Sequence, residues 1–251
     1  MVGITSYGAY IPLHRLARAE ISRAWGGGPV PGERAVANWD EDSVTMAVAA
    51  GMDCLKEMDP KTLDGLYFAS TTFPYLEKQS AALVATALDL RPDAFTVDFS
   101  NSLRGGTSAM KAAVDTITAN SASSILLCAA DIRLGMPHGP REMDFGDGAA
   151  AIALGNNGVV AAIEGTYSVM DEIIDIWRPD DDVFVHFWEE RFVREEGYGR
   201  VVPAAVSAAL KKYNLTPKDF AKAVFYTHNH SLLIGVAKQL GFDPKTQVQD
   251  S

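Results

Sequence analysis

The chain has 251 residues, 47% of them hydrophobic and 22% charged, enough to bury a large core as one big domain or two small ones. Its 32 acidic against 22 basic side chains leave a net charge of −10 and exclude a nucleic-acid surface, which needs a basic stripe to meet the phosphate backbone. No apolar run reaches the roughly 18 residues of a membrane span, and MVGITSYGAYIPLHRL lacks a charged-then-apolar leader. The two cysteines, Cys54 and Cys128, form no CxxC, so the expectation is a cytoplasmic protein without structural disulfides or zinc, bound to neither membrane nor nucleic acid.

In chain order, residues 42–57 carry apolar side chains at helical spacing behind Asp42 and Ser43, both suited to cap a helix. A turn at Asp59, Pro60 and Thr62 leads into a short, mostly apolar run over 65–70 that reads as a buried strand. The pattern then predicts a helix at about 78–89, a strand at 94–100 and a helix over about 105–119. Continuous apolar runs at 125–130, closed by Asp131, and at 149–154, after Gly146-Asp147-Gly148, read as two more strands. Strands alternating with helices imply an α/β fold whose sheet is buried on both faces.

The chain also echoes itself. LKEMDPKTLDGLYFAS at 55–70 has the helix-end, turn and strand order of LKKYNLTPKDFAKAVFYT at 210–227. Leu88-Asp89-Leu90-Arg91-Pro92 returns as Leu240-Gly241-Phe242-Asp243-Pro244, an offset of 152 residues, against 155 between Leu55 and Leu210. Two units in one order at nearly one offset predict a duplicated α/β half. On that reading residues 1–165 are the first half, and 166–251 hold an insertion plus the first part of the second. The second copy stops at 249–251, where the first reaches 98–100, so the second half is expected to be incomplete, from a truncated sequence or a missing partner segment, with an exposed sheet edge. The segment 167–200 mixes dense charge with Trp177, Phe184, Phe187, Trp188 and Phe192, and reads as an insertion whose aromatic residues cap a pocket or anchor the excursion.

Several motifs, in order, resemble one family: GITSYGAYIPLHRL at 3–16, GERAVANWDEDSVTMAV at 32–48, NSLRGGT at 101–107, FGDGAAA at 145–151, DIWRP at 175–179 and AVFYTHN at 223–229. Together they are similar to hydroxymethylglutaryl-CoA synthases of the archaeal or bacterial type, within the thiolase superfamily; FGDGA alone also resembles ketoacyl synthase III. The resemblance implies a thiolase-like αβαβα layered fold made of two similar halves, and a cleft that joins acyl units carried on coenzyme A by acyl transfer or Claisen-type condensation. It implies coenzyme A thioester as substrate or ligand, with no covalently bound cofactor.

The family uses a cysteine nucleophile activated at a helix N-terminus, a glutamate base and a histidine that donates to the developing oxyanion. Carried over residue by residue, the resemblance puts Leu103 at the cysteine and Thr71 at the glutamate, so neither group can act. Ser102 is the nearby hydroxyl, with a turn-capping role as its other reading. Glu77 is the nearest carboxylate, and Cys54 and Cys128 read as buried small apolar residues. A gap-free match puts Tyr226 at the histidine, and a shift of two puts His228 there; His228 and His230 lack a third ligand for a metal site. Arg104, Gly105, Gly106 and Asn229 are the expected contacts to the thioester ligand, the glycines having close helix–sheet packing as their alternative.

Three readings follow: an acyl-CoA-processing enzyme with replaced groups, a non-catalytic acyl-CoA-binding or scaffold subunit for a thiolase or OB-fold partner, and a half that contributes only an interface. The resemblance also implies a homodimer paired through the strand at 94–100.

Overall fold

Gly65-Leu66-Tyr67-Phe68-Ala69 offers no side chain that prefers water, and it forms strand β4 (Gly65–Ala69), buried along its whole length. β4 pairs in parallel with β5 (Phe95–Phe99) on one side and β6 (Ser124–Asp131) on the other. The sheet continues antiparallel through β7 (Gly148–Gly155), β1 (Gly3–Tyr10) and the two-residue β8 (Ala161–Ala162), in the order β5-β4-β6-β7-β1-β8. The computed structural model describes residues 1–227 and 230–249, in two compact units, Met1–Glu164 and Gly165–Ser251.

Alternation along the strands divides the core of the first unit between two faces. Leu66, Phe68, Leu126 and Cys128 pack against Met46, Ala47 and Ala50 of α2 (Ser43–Cys54) and Ala81 and Val84 of α3 (Ser80–Ala87). Tyr67, Ile125 and Leu127 face Ala109, Ala113 and Ile117 of α4 (Gly105–Thr118). Each large apolar side chain so buried contributes about 1.5–3 kcal/mol. Asp42 starts α2 in a capping box: its carboxylate accepts from Thr45 N at 2.7 Å, and Thr45 Oγ1 accepts from Asp42 N at 2.7 Å. α2 ends at Cys54, three residues short of the pattern, because the chain turns with Met58 N donating to Leu55 O.

Several elements of this unit had no sequence signal. β1 is rich in Gly, Ser and Tyr and does not alternate; backbone pairing with β7 holds it, from Gly3 opposite Gly155 to Tyr10 opposite Ala149. A Cβ on Gly8 would lie 2.3 Å from Cys54 N, so only glycine lets β1 meet the end of α2. The hairpin of β2 (His14–Ala17) and β3 (Glu33–Val36), enclosing α1 (Arg18–Ala24), is short and exposed.

In the second unit the segment 167–200 forms a hairpin of β9 (Ile176–Trp177) and β10 (His186–Phe187), the short turn α5 (Glu190–Phe192) and a π-helical turn at Val193–Tyr198. Trp177 stacks on His186 with centroids 5.6 Å apart and tilts against Trp188, so these aromatic residues pack on one another. Then come α6 (Gly199–Tyr213), a 3-10 turn at Pro217–Asp219, β11 (Ala223–Val224), α7 (His230–Leu240) and β12 (Val248–Gln249). This repeats α2, the 3-10 turn at Pro60–Thr62, β4, α3 and β5. The register repeats too: the pairs Ala223↔Val248 and Val224↔Gln249 match Leu66↔Thr96 and Tyr67↔Val97 at offsets of 157 and 152, and 157 also separates Pro60 from Pro217. After the last leucine of each copy's second helix, Asp89 and Gly241 both take a left-handed backbone, φ 58° and 87°. The duplication is therefore a property of the backbone. Among the described residues no helix is long and apolar enough to cross a membrane.

Asp64 ties the N-terminal ends of the parallel strands together. Its carboxylate accepts from Ser123 N (2.5 Å), Ser124 N (3.1 Å) and Arg91 Nη2 (2.6 Å). Partial burial works against the charge, but these donors outweigh it and hold the carboxyl below the usual range. A pKa depressed in the folded state contributes stability above the unfolded value that is lost as pH falls through the folded one. Asp64→Asn should therefore cost about 1–3 kcal/mol at pH 7, and the gap to the parent should close in urea titrations at acid pH. Equal stabilities at pH 7 would contradict this.

Candidate functional site

The C-terminal ends of β4 and β6 open, with the start of β7 and the first turn of α4, onto a cleft of about 500 Å³. Ala69, Ser70, Ala129 and Asp131 come from the strand ends, Gly148 to Ala150 from β7, and Ser102, Leu103, Gly105, Gly106, Thr107 and Met110 from the helix side. Clefts at strand C-terminal ends are where open α/β sheets gather ligands.

The turn from β5 into α4 is sharp. Asn101 sits at φ 61°, a left-handed conformation that asparagine tolerates better than most residues. Ser102 Oγ accepts from Arg104 N at 3.1 Å, and Ser102 O accepts from Gly105 N at 2.9 Å. With the residues around it so fixed, Leu103 stands at the apex, lining the cleft and 51% exposed. Ser102 thus caps the turn. Gly105 and Gly106 divide the two roles open to them: a Cβ on Gly105 would press on Phe99 O (3.3 Å) and Ala69 Cβ (3.4 Å), whereas one on Gly106 meets only Ala129 Cβ at 3.8 Å. Gly105 is a packing glycine, and Gly106 leaves the cleft wall low. Arg104 is exposed and does not line the cleft.

Across the cleft a polar knot closes the ends of β4 and β6. Asp131 Oδ1 accepts from Ser70 Oγ (3.1 Å), Thr71 N (2.7 Å), Thr71 Oγ1 (3.0 Å) and Thr72 Oγ1 (3.2 Å). Thr72 Oγ1 in turn accepts from Ile132 N at 2.9 Å. Thr71 therefore donates its hydroxyl hydrogen bond to a carboxylate from the neighbouring strand. Sequence reasoning took Asp131 only as the end of a strand; the available signal was the hydroxyl run Ser70-Thr71-Thr72 at one buried strand end opposite an acid at another.

The other expected residues lie apart. Cys54 and Cys128 are buried, 2% and 0% exposed, and burial pushes both thiols up, so neither forms a thiolate readily. Glu77 is exposed on the loop after β4. Tyr226 follows β11 in the second unit, 76% exposed. His228 and Asn229 lie outside the described residues. Among the described residues no three metal-ligating side chains come together.

A cationic and aromatic face lies along the loop after Asp131. Arg34 Nη1 donates to Glu142 O and Phe145 O, both at 3.0 Å, and Arg133 stacks over Phe145 at 4.5 Å. Trp25 stacks on His138 at 4.9 Å while its Nε1 donates to Glu142 Oε2 at 2.9 Å. Arg18 Nε, Arg34 Nε and Arg133 Nη1 are buried polar atoms with no hydrogen-bond partner among the described residues.

A mixed sheet between helices, a repeated helix–strand unit and a cleft at the N-terminus of α4 define a thiolase-like fold. No family model matches the chain. Hydroxymethylglutaryl-CoA synthase of Pyrococcus horikoshii is 34% identical over 252 residues, covering 98% of this chain and 71% of the relative. Among solved structures, an HMG-CoA synthase complexed with CoA superposes with a TM-score of 0.84 at 19% identity, covering 95% of this chain and 63% of the other. The 3-oxoacyl-(acyl carrier protein) synthase III of Pseudomonas aeruginosa PAO1 gives 0.85 at 20%, covering 98% and 81%. The chain belongs to the hydroxymethylglutaryl-CoA synthase family, and it spans less than two thirds of the length of the CoA-complexed synthase.

The two glycines give a local test. Gly106→Ala should leave stability unchanged or raise it by up to about 1 kcal/mol through helix propensity. Gly105→Ala should lower it by about 1–3 kcal/mol through overpacking. Thermal unfolding of both variants reads the difference, and equal shifts would refute the division of roles.

Proposed function

We propose that this chain binds acyl-CoA thioesters in the cleft and does so without forming an acyl-enzyme, because a leucine stands where the family places its cysteine nucleophile. The observation that carries the reading is Leu103, at the apex of the turn before α4, half exposed and lining the cleft. A hydrocarbon cannot attack a thioester. The flanking groups support the same reading: Thr71 offers a hydroxyl committed to Asp131 instead of a base, Ser102 Oγ is engaged in the turn, and both thiols are buried.

The binding half of the machinery is consistent with retention. Gly106 and Thr107 bring the positive end of a 14-residue helix to the cleft, suited to a thioester carbonyl oxygen. The unpartnered buried nitrogens of Arg18, Arg34 and Arg133 fit the phosphate groups of coenzyme A, and the Trp25–His138 stack offers a flat surface for its purine. The repeat register also bears on the histidine. An offset of 157 carries Thr71 to His228 and not to Tyr226, so His228 is the counterpart of Thr71 in the repeat.

We also propose a homodimer paired through β5. This strand is the edge of the six-stranded sheet and bears Phe95 at 64% exposure, an edge of the kind that recruits a second strand.

Incubation with acetyl-CoA and acetoacetyl-CoA, followed by intact-protein mass spectrometry and free-CoA assay, tests the function. Retained acyl-CoA is expected with no covalent adduct and no CoA release above a protein-free control, and Leu103→Cys should gain an acyl adduct at residue 103. An adduct on Ser102, or turnover by the parent, would establish an enzyme instead. Light scattering tests the dimer: the parent should have twice the mass of its chain and Phe95→Asp should be monomeric, while a monomeric parent would sink the pairing.

A further inference from the structure

We infer that Asp131 is a catalytic base, and that the cleft exchanges an α-hydrogen of a bound acyl-CoA with solvent through the enolate, with no acyl-enzyme. This deepens the acyl-CoA reading above and rests on it. Two features of the cleft wall carry the inference: a carboxylate with one oxygen fixed and the other open, and two helix amides without an acceptor.

Asp131 is the one carboxylate among the described residues that line the cleft. Its hydrogen bonds from Ser70, Thr71 and Thr72 all fall on Oδ1, at 2.7 to 3.2 Å. Among the described residues Oδ2 has no such donor, and it is not a buried atom left without a partner, so it is accessible to a ligand. The loop that fixes the carboxylate is itself held. Thr72 Oγ1 accepts from Ile132 N at 2.9 Å and Thr72 O accepts from Ser43 Oγ at 2.8 Å, which ties that loop to β6 and α2. A base held in one place acts on one face of a bound acyl group.

On the helix side, Gly105 N donates to Ser102 O and Ser108 N to Arg104 O, both at 2.9 Å. Between them, Gly106 N and Thr107 N have no acceptor among the described residues, and α4 has no side-chain cap. Free donors at a helix start polarise a thioester carbonyl and stabilise the negative oxygen of its enolate. With Leu103 at the apex, the activated thioester meets a base and no nucleophile.

The step balances with water alone. Asp131 Oδ2 takes the α-proton, the C–H electron pair becomes the C=C bond of the enolate, and the carbonyl π pair moves onto oxygen. In heavy water the carboxyl group trades its proton for a solvent deuteron and returns that to carbon. A C–H bond becomes C–D, the thioester stays intact, and neither an adduct nor free CoA is formed.

Butyryl-CoA in D2O buffer near neutral pH is the probe, with deuterium in the recovered thioester read by mass spectrometry and binding read by calorimetric titration. The whole protein should label it at least about tenfold faster than a protein-free control. Asp131→Asn keeps an oxygen for the four donors and replaces the open one by an amide, so it should bind butyryl-CoA and label it no faster than the control. Should that variant fail to fold, the parent gives a second reading: labelling should stop at one deuterium per molecule, because a fixed base takes one of the two α-hydrogens. Binding without labelling would overturn the inference and leave the acyl-CoA reading intact. Undiminished labelling by a folded Asp131→Asn, or both α-hydrogens exchanged at one rate by the parent, would remove Asp131 as the base. Failure of butyryl-CoA to bind would bring down the acyl-CoA reading and this inference with it.

Discussion

The fold of the first unit depends on burying β4 on both faces. Leu66 and Phe68 point to α2 and α3, Tyr67 points to α4, and β5 and β6 take the backbone hydrogen bonds on either side. A strand so enclosed has no surface for polar work, so its two ends must satisfy every polar group that the loops bring in. Acids do this at both: Asp64 gathers the amides of Ser123 and Ser124 at the entrance, and Asp131 gathers residues 70–72 at the exit. Asp98, on β5, accepts from Ser80 N and Ala81 N at 2.7 Å and so caps α3. The same enclosure leaves the exit end as the place where the cleft can form.

What could be read from the residues follows from that burial. β4, β6 and β7 are apolar runs because both their faces are covered, and α2 and α4 show their periodicity because each has one face in the core. Boundaries shifted by one to three residues where turn bonds, such as Met58 N to Leu55 O, ended a helix before its apolar pattern did. β1 stayed illegible because backbone pairing and the close approach at Gly8 hold it, and neither writes a period of two into side chains. Asp131 was illegible in its role because the knot joins residues about 60 apart, a relation that exists only once β4 and β6 are side by side.

The duplication was legible for a different reason. A proline opening a 3-10 turn, a strand, a helix and a left-handed residue after its last leucine are local signals, and each copy carries them in its own segment. The two copies do not share side chains at the left-handed position: Gly241 adopts it freely, while Asp89 is among the few residue types that tolerate it. Backbone geometry is thus retained where side-chain identity has drifted, and register is the more reliable guide to which positions correspond.

The same separation of frame and chemistry explains how the apex before α4 can change. Asn101 supplies the left-handed step, Ser102 closes the turn, and Gly105 lets α4 start against Phe99 and Ala69. Leu103 contributes to none of these contacts; half of it is exposed, and it lines the cleft. A side chain that the frame does not use can be exchanged at little cost to the fold, so resemblance in NSLRGGT reports the turn and the helix start, and the third residue alone reports the reaction. On the proposed reading that residue has changed from a nucleophile to a hydrocarbon wall, which alters what the cleft does to a thioester without altering how the cleft is built.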